Sequence, residues 1–354
     1  MKKLIVFIIV LLIKINIFAV QTKVLIYKGN RKVNLQNKTY KYNGHYLKIN
    51  YIRLIDGKIY LDNHPVDLNE ITITPKNEYV YLDGKKYNGK LIVFTDYINL
   101  YLINLIEIEE YLKGVLPKEV NSKWPVEVLK AQAIASRTYI YKRKKMNNKL
   151  YDVGSSHFYQ VYGGVNSKRK KTNYAVDRTK NIVMTFKGDL IYSFYYSSSG
   201  GYTASSYEVW KSNKKFGYLK AKKDPYSVNT PYDYWSYKIS SYKFKKIFNL
   251  ENIKDIKLYY SKSKRVRYLD IIQQNGNKKR INGNDLRLKI GSRKLKSTMF
   301  DMNYDGQYFK FSGKGWGHGV GMSQWGAYRM AKNGYNYKEI LKFYYSGISF
   351  SKVL

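Results

Sequence analysis

Apolar and polar residues alternate along roughly the first third of the chain, from Lys23 to about Leu105. Period-two alternation rich in Tyr, Ile and Val is typical of β-strands that are buried on one face. Two segments, 55–58 and 82–85, interrupt the alternation with Asp-Gly, the strongest short signal for a hairpin turn. The pattern therefore predicts a β-rich N-terminal extension over residues 20–105.

Helical spacing of apolar residues begins at about Ile106. A short helix is expected up to about Pro117, and a longer helix near Pro125, because proline suits the first helical position. The longer helix carries two apolar stripes: Val126, Leu129, Ala133 and Ile140 form one, and Val128, Ala131 and Ala135 form the other. A helix that is apolar or small on most sides is expected to be buried on most sides.

The remainder of the chain mixes short strands and short helices, and residues 205–300 are polar, rich in Lys and Tyr, and hard to assign. Near the C-terminus a glycine-rich segment leads into two short helices, separated by Gly334. These patterns predict the α+β fold class, with one mixed domain over residues 106–354 after the β-rich extension.

The chain starts with two lysines, an apolar run from Leu4 to Ile13, and the small residue Ala19. This order predicts a secretory signal peptide over residues 1–19, and hence an extracytoplasmic location on the periplasmic or wall side. The apolar run is shorter than the ~20 residues that span a membrane comfortably. Two alternatives stay open: an uncleaved segment that anchors the protein to the membrane, and a buried helix of the folded domain.

The chain is strongly basic, since 64 Lys and Arg against 25 Asp and Glu give a net charge of +39. Such a charge favours a polyanionic partner. An exported protein rarely meets nucleic acid, so wall polymers or anionic lipid head groups are expected and nucleic acid is not. The 39 tyrosines point to the alternative, a general compositional bias. The absence of cysteine excludes disulfides, thiol catalysis and Cys-ligated zinc.

Three segments stand out by their residues: 109–139, which begins EEYLKGVLPKEVNSKWP, 195–201 (YYSSSGG) and 315–327 (GWGHGVGMSQWGA). In this order they resemble the stage II sporulation protein D family, which includes amidase enhancers. The resemblance covers about residues 106–354 and is weak in the middle. It implies a lytic transglycosylase that acts on peptidoglycan. We expect no cofactor and no metal, since the cysteines that bind zinc in some family members have no counterpart in this chain.

Glu119 is the carboxylate that the resemblance implies as catalytic. Its neighbours Leu116, Pro117, Val120 and Trp124 are mostly apolar, a setting that tends to raise the pKa of a carboxyl group. Cleavage of a β-1,4 glycosidic bond needs such an acid to protonate the leaving oxygen. Glu119 is expected in a short connection between two helices, and the alternative is that it is a solvated loop residue or a helix cap.

Lys130 and Arg137 lie seven positions apart, and therefore nearly in line on a helix. One interpretation places both beside Glu119, where they would bind the free lactyl carboxylate of peptide-stripped muramic acid. The other has them reach the surface or pair with nearby carboxylates, such as Glu109, Glu110 or Glu127.

Five further residues are candidates for substrate binding. His157 occupies a place where family members often carry a histidine, although a lone histidine is commonly structural. His318 and Gln324 belong to the glycine-rich segment, which the resemblance places against the cleft. Tyr195 is a candidate for contact with a sugar, and Ser197 is a candidate hydrogen-bond donor or turn residue. No G-x-S-x-G elbow supports a serine nucleophile.

The sequence is compatible with three functions. The first is a lytic transglycosylase that cleaves the MurNAc–GlcNAc β-1,4 bond of peptide-stripped peptidoglycan glycan strands and leaves a 1,6-anhydro-MurNAc end. The second is a non-catalytic enhancer of a cell-wall amidase, which would be its partner. The third is a protein that binds the wall or lipid through its positive charge. Glu119 favours the first, because a binding module does not require it.

Overall fold

The computed structural model describes residues 20–146, 150–156, 159–210 and 215–353, so the predicted signal segment 1–19 and His157 lie outside the described residues. The N-terminal part consists of strands in which buried and exposed residues largely alternate, as the sequence pattern predicts. These strands are β1 (Gln21–Gly29), β2 (Val33–Tyr42), β3 (His45–Ile55), β4 (Lys58–Leu61), β5 (His64–Val66), β6 (Glu70–Pro75), β7 (Tyr79–Leu82), β8 (Lys85–Asn88), β9 (Lys90–Thr95) and β10 (Leu100–Glu107).

Two helices follow, α1 (Ile108–Glu119) and α2 (Val126–Lys145). Helix α1 does not end at Pro117: the proline lies in its last turn, and Glu119 is the final helical residue rather than part of a connection. Pro125 was expected at the first helical position of α2, but it is the N-cap, and Val126 is the first helical residue. The difference of one or two residues matters here because it places Glu119 on a rigid element.

The rest of the chain contains short elements. They are β11 (Val153–Gly154), a 3₁₀ turn (Val165–Ser167), α3 (Lys170–Arg178), β12 (Ile182–Phe186), β13 (Asp189–Leu190), β14 (Tyr195–Tyr196), α4 (Ser206–Val209), β15 (Trp235–Ser240), α5 (Ser241–Phe248), β16 (Ile253–Tyr260), β17 (Val266–Gln273), β18 (Lys278–Asn282), α6 (Gly283–Ile290), β19 (Phe300–Tyr304), β20 (Tyr308–Gly313), β21 (Met322–Ser323), α7 (Gln324–Lys332), α8 (Tyr337–Tyr344) and β22 (Ser349–Lys352). Helices and strands together give the mixed α+β fold that the sequence predicts.

A nine-stranded sheet dominates the N-terminal part, in the order β11-β1-β10-β9-β6-β2-β3-β4-β5. The two predicted Asp-Gly hairpins are present, between β3 and β4 and between β7 and β8. Asp56 has φ 49° and Gly57 has φ 76°, and Asp83 and Gly84 have φ 44° and 81°. Positive φ at both central residues is what a two-residue hairpin turn with the right twist requires.

Helix α2 lies between two hydrophobic cores and explains why both of its stripes are apolar. Leu129, Ala133 and Ile140 belong to the first core, which the N-terminal strands share with α1. Val128, Ala131 and Ala135 belong to the second core, which contains α7 and α8. The sequence prediction of a helix buried on most sides is confirmed, and this helix joins the two cores.

A third core fills the region that the sequence left unassigned. Its buried residues come from Trp235 to Phe311, with β15, β19 and β20 forming one three-stranded sheet and β16, β17 and β18 another. The stacked rings of Phe244 and Phe309, with centroids 3.9 Å apart, lie at its centre. We call this part, residues 233–313, the third-core lobe.

Within the ranges that the structure describes, no helix is both long and apolar enough to span a bilayer.

Candidate functional site

Glu119, at the end of α1, lines a cavity of about 340 Å³. Around it stand mostly aromatic side chains: Tyr139, Tyr159, Phe194, Tyr195, Trp210 and the imidazole of His318. Glu119 is the one carboxylate among the described residues that line this cavity. Segments far apart in the sequence therefore enclose a single acidic group with rings.

Burial raises the pKa of Glu119 to about 7, and one hydrogen bond opposes the shift. The backbone N–H of Val161 donates to Oε1 of Glu119 over 2.8 Å, which favours the ionised form. Desolvation is the larger effect, so both protonation states are populated near neutral pH. This agrees with the raised pKa expected from the sequence, although distant aromatic residues supply much of the burial.

Tyr195 is held beside the carboxyl group by a chain of hydrogen bonds. Gln160 Nε2 donates to the Tyr195 hydroxyl over 3.1 Å, and Gln160 Oε1 accepts from the hydroxyl of Tyr111 over 3.2 Å. Burial, followed by the charge of Glu119, holds the pKa of Tyr195 well above its ordinary value. The tyrosine is therefore a neutral hydroxyl, fixed in position, on the wall of the cavity.

Gln324, the first residue of α7, ties the C-terminal segment to the end of α1. Its Nε2 donates to the backbone carbonyl of Glu119 over 3.1 Å and to Oε1 of Gln132 over 3.4 Å. Parallel pairing of β14 with β21 sets Tyr195 opposite Met322, two residues before Gln324. Gln324 thus positions the backbone that carries the acid.

His318 lines the same cavity, with its ring centroid 5.2 Å from Tyr196 and 5.5 Å from Trp210. Its Nδ1 accepts the Val320 N–H over 3.0 Å, which assigns the proton of the neutral ring to Nε2. Burial, helped by the charges of Arg287 and Arg265, lowers the pKa of His318 to about 3. The imidazole is therefore neutral at physiological pH.

The glycines around His318 are needed because other side chains come very close. Gly319 has φ +88°, and a Cβ there would lie 2.5 Å from Nε of Arg265. Gly317 has φ +118°, and its Cβ would lie 2.6 Å from Cβ of Tyr196. Only glycine allows the backbone to pack this closely while keeping its left-handed conformation.

Ser197 does not line the cavity with Glu119. It follows β14, and its backbone carbonyl accepts the N–H of Trp325 over 3.0 Å, so it anchors the chain beside α7. The neighbouring Ser193 does line the cavity and donates its hydroxyl to the Ala135 carbonyl over 2.7 Å. The prediction for His157 falls outside the described residues.

The structure contradicts the prediction that Arg137 binds an external anion. Its side chain is fully buried and forms a bidentate pair with Glu109, at 2.8 Å from Nε and 2.6 Å from Nη2. The remaining donors reach Thr179 Oγ1 and the carbonyls of Val176 and Ile182. Every donating nitrogen is occupied inside the protein, so the guanidinium joins α1, α2 and α3 and cannot reach a lactyl group.

Lys130 is also bound elsewhere. Its Nζ lies 2.7 Å from Oε1 of Glu127, and Oε2 of Glu127 accepts the Tyr337 N–H over 2.9 Å. This places Lys130 against the start of α8, outside the cavity that contains Glu119. The alternative interpretation, in which both cations pair with nearby carboxylates, describes the structure: Lys130 pairs within α2, and Arg137 pairs with Glu109 of α1.

Sequence reasoning missed several residues of the cavity. Tyr139 and Trp210 line it but carry no local signal that separates them from core aromatics. The Val161 N–H is a backbone group, which no residue type could reveal. Gln160 was within reach, since it belongs to the same irregular segment as His157.

Among the described residues, no group of three or more His, Cys, Asp or Glu side chains is placed to hold a metal ion. The acid chemistry available in this cavity is that of the Glu119 carboxyl group.

The chain is similar to known families and proteins over the regions that contain this site. Residues 97–186 match the family model described as Stage II sporulation protein, and residues 233–321 match a domain of unknown function (DUF8618). Stage II sporulation protein D of Bacillus subtilis (strain 168) is 30% identical over 70% of this chain and 75% of its own length. The chain belongs to the stage II sporulation protein D family.

Two other relatives extend the stage II sporulation protein D assignment. The amidase enhancer of Bacillus subtilis (strain 168) is 33% identical over 84% of this chain, which spans about half (49%) of that protein. An uncharacterised protein of Brachyspira hyodysenteriae is 33% identical over 75% of this chain and 73% of its own length. Within this family member, Glu119 and Val161 lie in the first matched region, and His318 lies in the second. The third-core lobe lies entirely within that second region.

Proposed function

We propose that this protein is a lytic transglycosylase that cleaves the MurNAc–GlcNAc β-1,4 bond of peptide-stripped glycan strands. The observation that carries the proposal is the buried Glu119 carboxyl group, whose pKa is raised to about 7 in a cavity lined by aromatic rings. A carboxyl group that holds its proton near neutral pH is suited to donate it to a leaving oxygen.

The reaction needs one acid and one base in sequence. Glu119 gives its proton to the glycosidic oxygen as the bond from C1 of MurNAc to that oxygen breaks. The C6 hydroxyl of the same MurNAc then bonds to C1, and its proton passes to the Glu119 carboxylate. The product carries a 1,6-anhydro ring, no water is consumed, and the acid is regenerated.

A second carboxylate is not required, because the intramolecular hydroxyl replaces the activated water of a hydrolase. This fits a cavity in which Glu119 is the one carboxylate among the described lining residues. The Val161 N–H, 2.8 Å from Oε1, stabilises the carboxylate that exists between the two proton transfers.

Peptide-stripped glycan is the proposed substrate because of charge. Removal of the stem peptide leaves a free lactyl carboxylate on each MurNAc, and a protein with a net charge of +39 attracts such a polyanion. The preference cannot depend on Lys130 and Arg137, which are paired internally. We further propose export to the wall side of the membrane, with membrane contact only through an uncleaved N-terminal segment and no nucleic-acid partner.

Amidase enhancement is the second candidate function. It is favoured by the 33% identity with a protein named amidase enhancer over 84% of this chain. In that case a cell-wall amidase is the partner, and the Glu119 carboxyl group is dispensable for the effect.

One set of reactions separates the two candidates. The protein and its Glu119→Gln variant are each incubated with intact and with amidase-treated glycan, and released sugars are measured by chromatography. The transglycosylase proposal expects release by the unmodified protein alone, and more from amidase-treated glycan. Equal stimulation of added amidase by both proteins, with no sugar released in its absence, would instead establish the enhancer function.

A further inference from the structure

A second cavity, of about 750 Å³, lies where the third-core lobe meets the loop that carries Gly200 and Tyr202. Three lysines from different segments line it: Lys223, Lys264 and Lys314. All three are exposed, and none forms an ion pair with another described residue. These cations are therefore available to an external anion, unlike Lys130 and Arg137.

Each of the two acids that line this cavity accepts a hydrogen bond from a tyrosine. Asp301 Oδ1 accepts the hydroxyl of Tyr260 over 2.8 Å. Asp224 is buried, and both of its oxygens accept the hydroxyl of Tyr344 over 3.2 Å. The cavity therefore presents three lysine ammonium groups and one exposed carboxylate, that of Asp301, whereas the Asp224 carboxylate is buried.

Aromatic rings accompany the lysines. Lys264 Nζ lies 5.3 Å from the ring centroid of Tyr202, and Lys314 Nζ lies 6.0 Å from that of Tyr234. Tyr234 is 77% exposed, and Tyr260 is 48% exposed. An apolar ring face beside a cation suits a sugar ring that carries a carboxylate, because ring and charge each have a partner. We call Lys223, Lys264, Lys314, Tyr202, Tyr234 and Tyr260 the lysine–tyrosine cleft.

A strip of partly exposed rings joins this cleft to the neighbourhood of Glu119. Trp124 lies 5.1 Å from Trp325, Trp325 lies 6.4 Å from Tyr232, and Tyr232 lies 4.8 Å from Trp316, measured between ring centroids. The carbonyl of Tyr232 accepts the Gly315 N–H over 2.7 Å, directly after Lys314. The strip therefore ends at the cleft.

The two cavities are close along the chain as well. Tyr195 lines the cavity of Glu119 and Gly200 lines the second cavity, five positions later in the chain, which is at most ~18 Å of extended backbone. A ligand longer than one disaccharide and bound at Glu119 therefore has aromatic and cationic residues of the cleft within its reach.

We propose that the lysine–tyrosine cleft binds the continuation of the glycan strand and selects strands with free lactyl carboxylates. This inference rests on the proposed function for the identity of the strand. It assigns recognition of the stripped strand to Lys264 of the third-core lobe and to Lys223 and Lys314 outside that lobe, rather than to the cations of α2.

Binding is measured by calorimetry with the full chain carrying Glu119→Gln, so that no turnover interferes. The probes are a GlcNAc–MurNAc octasaccharide with free carboxylates, the same octasaccharide with its carboxylates converted to amides, and a glycerol phosphate polymer. The test variant adds Lys223→Gln, Lys264→Gln and Lys314→Gln. The matched control adds Lys48→Gln, Lys85→Gln and Lys90→Gln, which remove the same charge from exposed positions of the N-terminal strands.

The test variant should bind the carboxylate probe about tenfold more weakly, since each exposed ion pair contributes modestly, and should bind the amide probe unchanged. The control variant should match its parent with both probes. Equal weakening by test and control, no preference for carboxylate over amide in the parent, or tighter binding of the phosphate polymer through the same lysines would each overturn the proposal.

The outcome is separable from that of the proposed function. If the unmodified protein releases no product from stripped glycan but the three lysines still select the carboxylate probe, the transglycosylase proposal fails and the cleft remains. If product is released at the same rate by proteins with and without the three lysine substitutions, and probe binding is also unchanged, the cleft fails and the transglycosylase remains.

Discussion

Replacing Glu109 by alanine should destabilise the protein strongly, because it leaves the Arg137 guanidinium without its counter-charge. The Arg137 side chain is 0% exposed and that of Glu109 is 15% exposed. Removing one partner of such a buried pair typically costs about 3–5 kcal/mol, since the remaining charge cannot recover its hydration. The Asn181 N–H, which donates to Glu109 Oε1 over 3.3 Å, loses its acceptor as well.

Two comparison variants separate this effect from a general loss of charge. Lys130→Gln breaks an ion pair whose side chains are 20% and 26% exposed, and should lose no more than about 1 kcal/mol. The double variant Glu109→Leu with Arg137→Met replaces the buried pair by apolar groups of similar size. It should recover most of the stability that Glu109→Ala loses, because no buried charge is left unpaired.

The assay is urea unfolding followed by tryptophan fluorescence, combined with binding of the carboxylate octasaccharide. A loss below about 1 kcal/mol for Glu109→Ala would refute the structural role of the pair. Arg137→Met with unchanged unfolding but abolished octasaccharide binding would return Arg137 to the substrate site. The structure predicts the opposite pattern: altered unfolding and, where the variant is folded, unchanged binding.

Three further predictions concern the site. Because the pKa of Glu119 is raised from 4.5 to about 7, the folded state binds more protons than the unfolded state between these values, so stability falls as pH rises through this window. In Glu119→Gln this proton is absent, so its free energy of unfolding relative to the unmodified protein should rise by about 3 kcal/mol across this pH window, measured by urea unfolding at several pH values. A difference that stays constant with pH would contradict the burial of the acid. Gly319→Ala should lose about 1–3 kcal/mol in the same assay, because its Cβ would meet Arg265, whereas Gly188→Ala, at similar φ +84° but with open space, should lose less. Gln324→Ala should lower kcat roughly tenfold while KM holds, since one hydrogen bond to the backbone of Glu119 is removed; a change confined to KM would instead indicate sugar contact.

The parts of the fold that follow from local periodicity were predictable. The two apolar stripes of α2 indicate a helix buried on two sides, and Leu129 and Val128 do lie in different cores. The Asp-Gly turns fix two hairpins for a local reason, since Asp56 and Gly57 both need positive φ. By contrast, the third-core lobe is built from strands with many exposed lysines, and its core depends on pairings such as Phe244 with Phe309 across 65 residues of sequence.

The candidate site was predictable in its central residues and in the raised pKa of Glu119, but not in the ion-pair partners of Lys130 and Arg137. Glu119, Tyr195 and His318 do share one cavity, and Gln324 contacts the backbone of Glu119. The sequence offered Glu109, Glu110 and Glu127 as possible partners of Lys130 and Arg137, but it could not show which carboxylate pairs with which cation. Glu109 is 28 residues from Arg137 in sequence, and only the packing of α1 against α2 brings them together.

The most direct test of the central claim is the mass of the new glycan end produced from peptide-stripped strands, measured before and after borohydride reduction. A 1,6-anhydro end weighs one water less than a hydrolysed end and is not reduced by borohydride. The account predicts such an end with the unmodified protein and no cleavage with Glu119→Gln. A reducible end, or the same product from the Glu119→Gln variant, would contradict it.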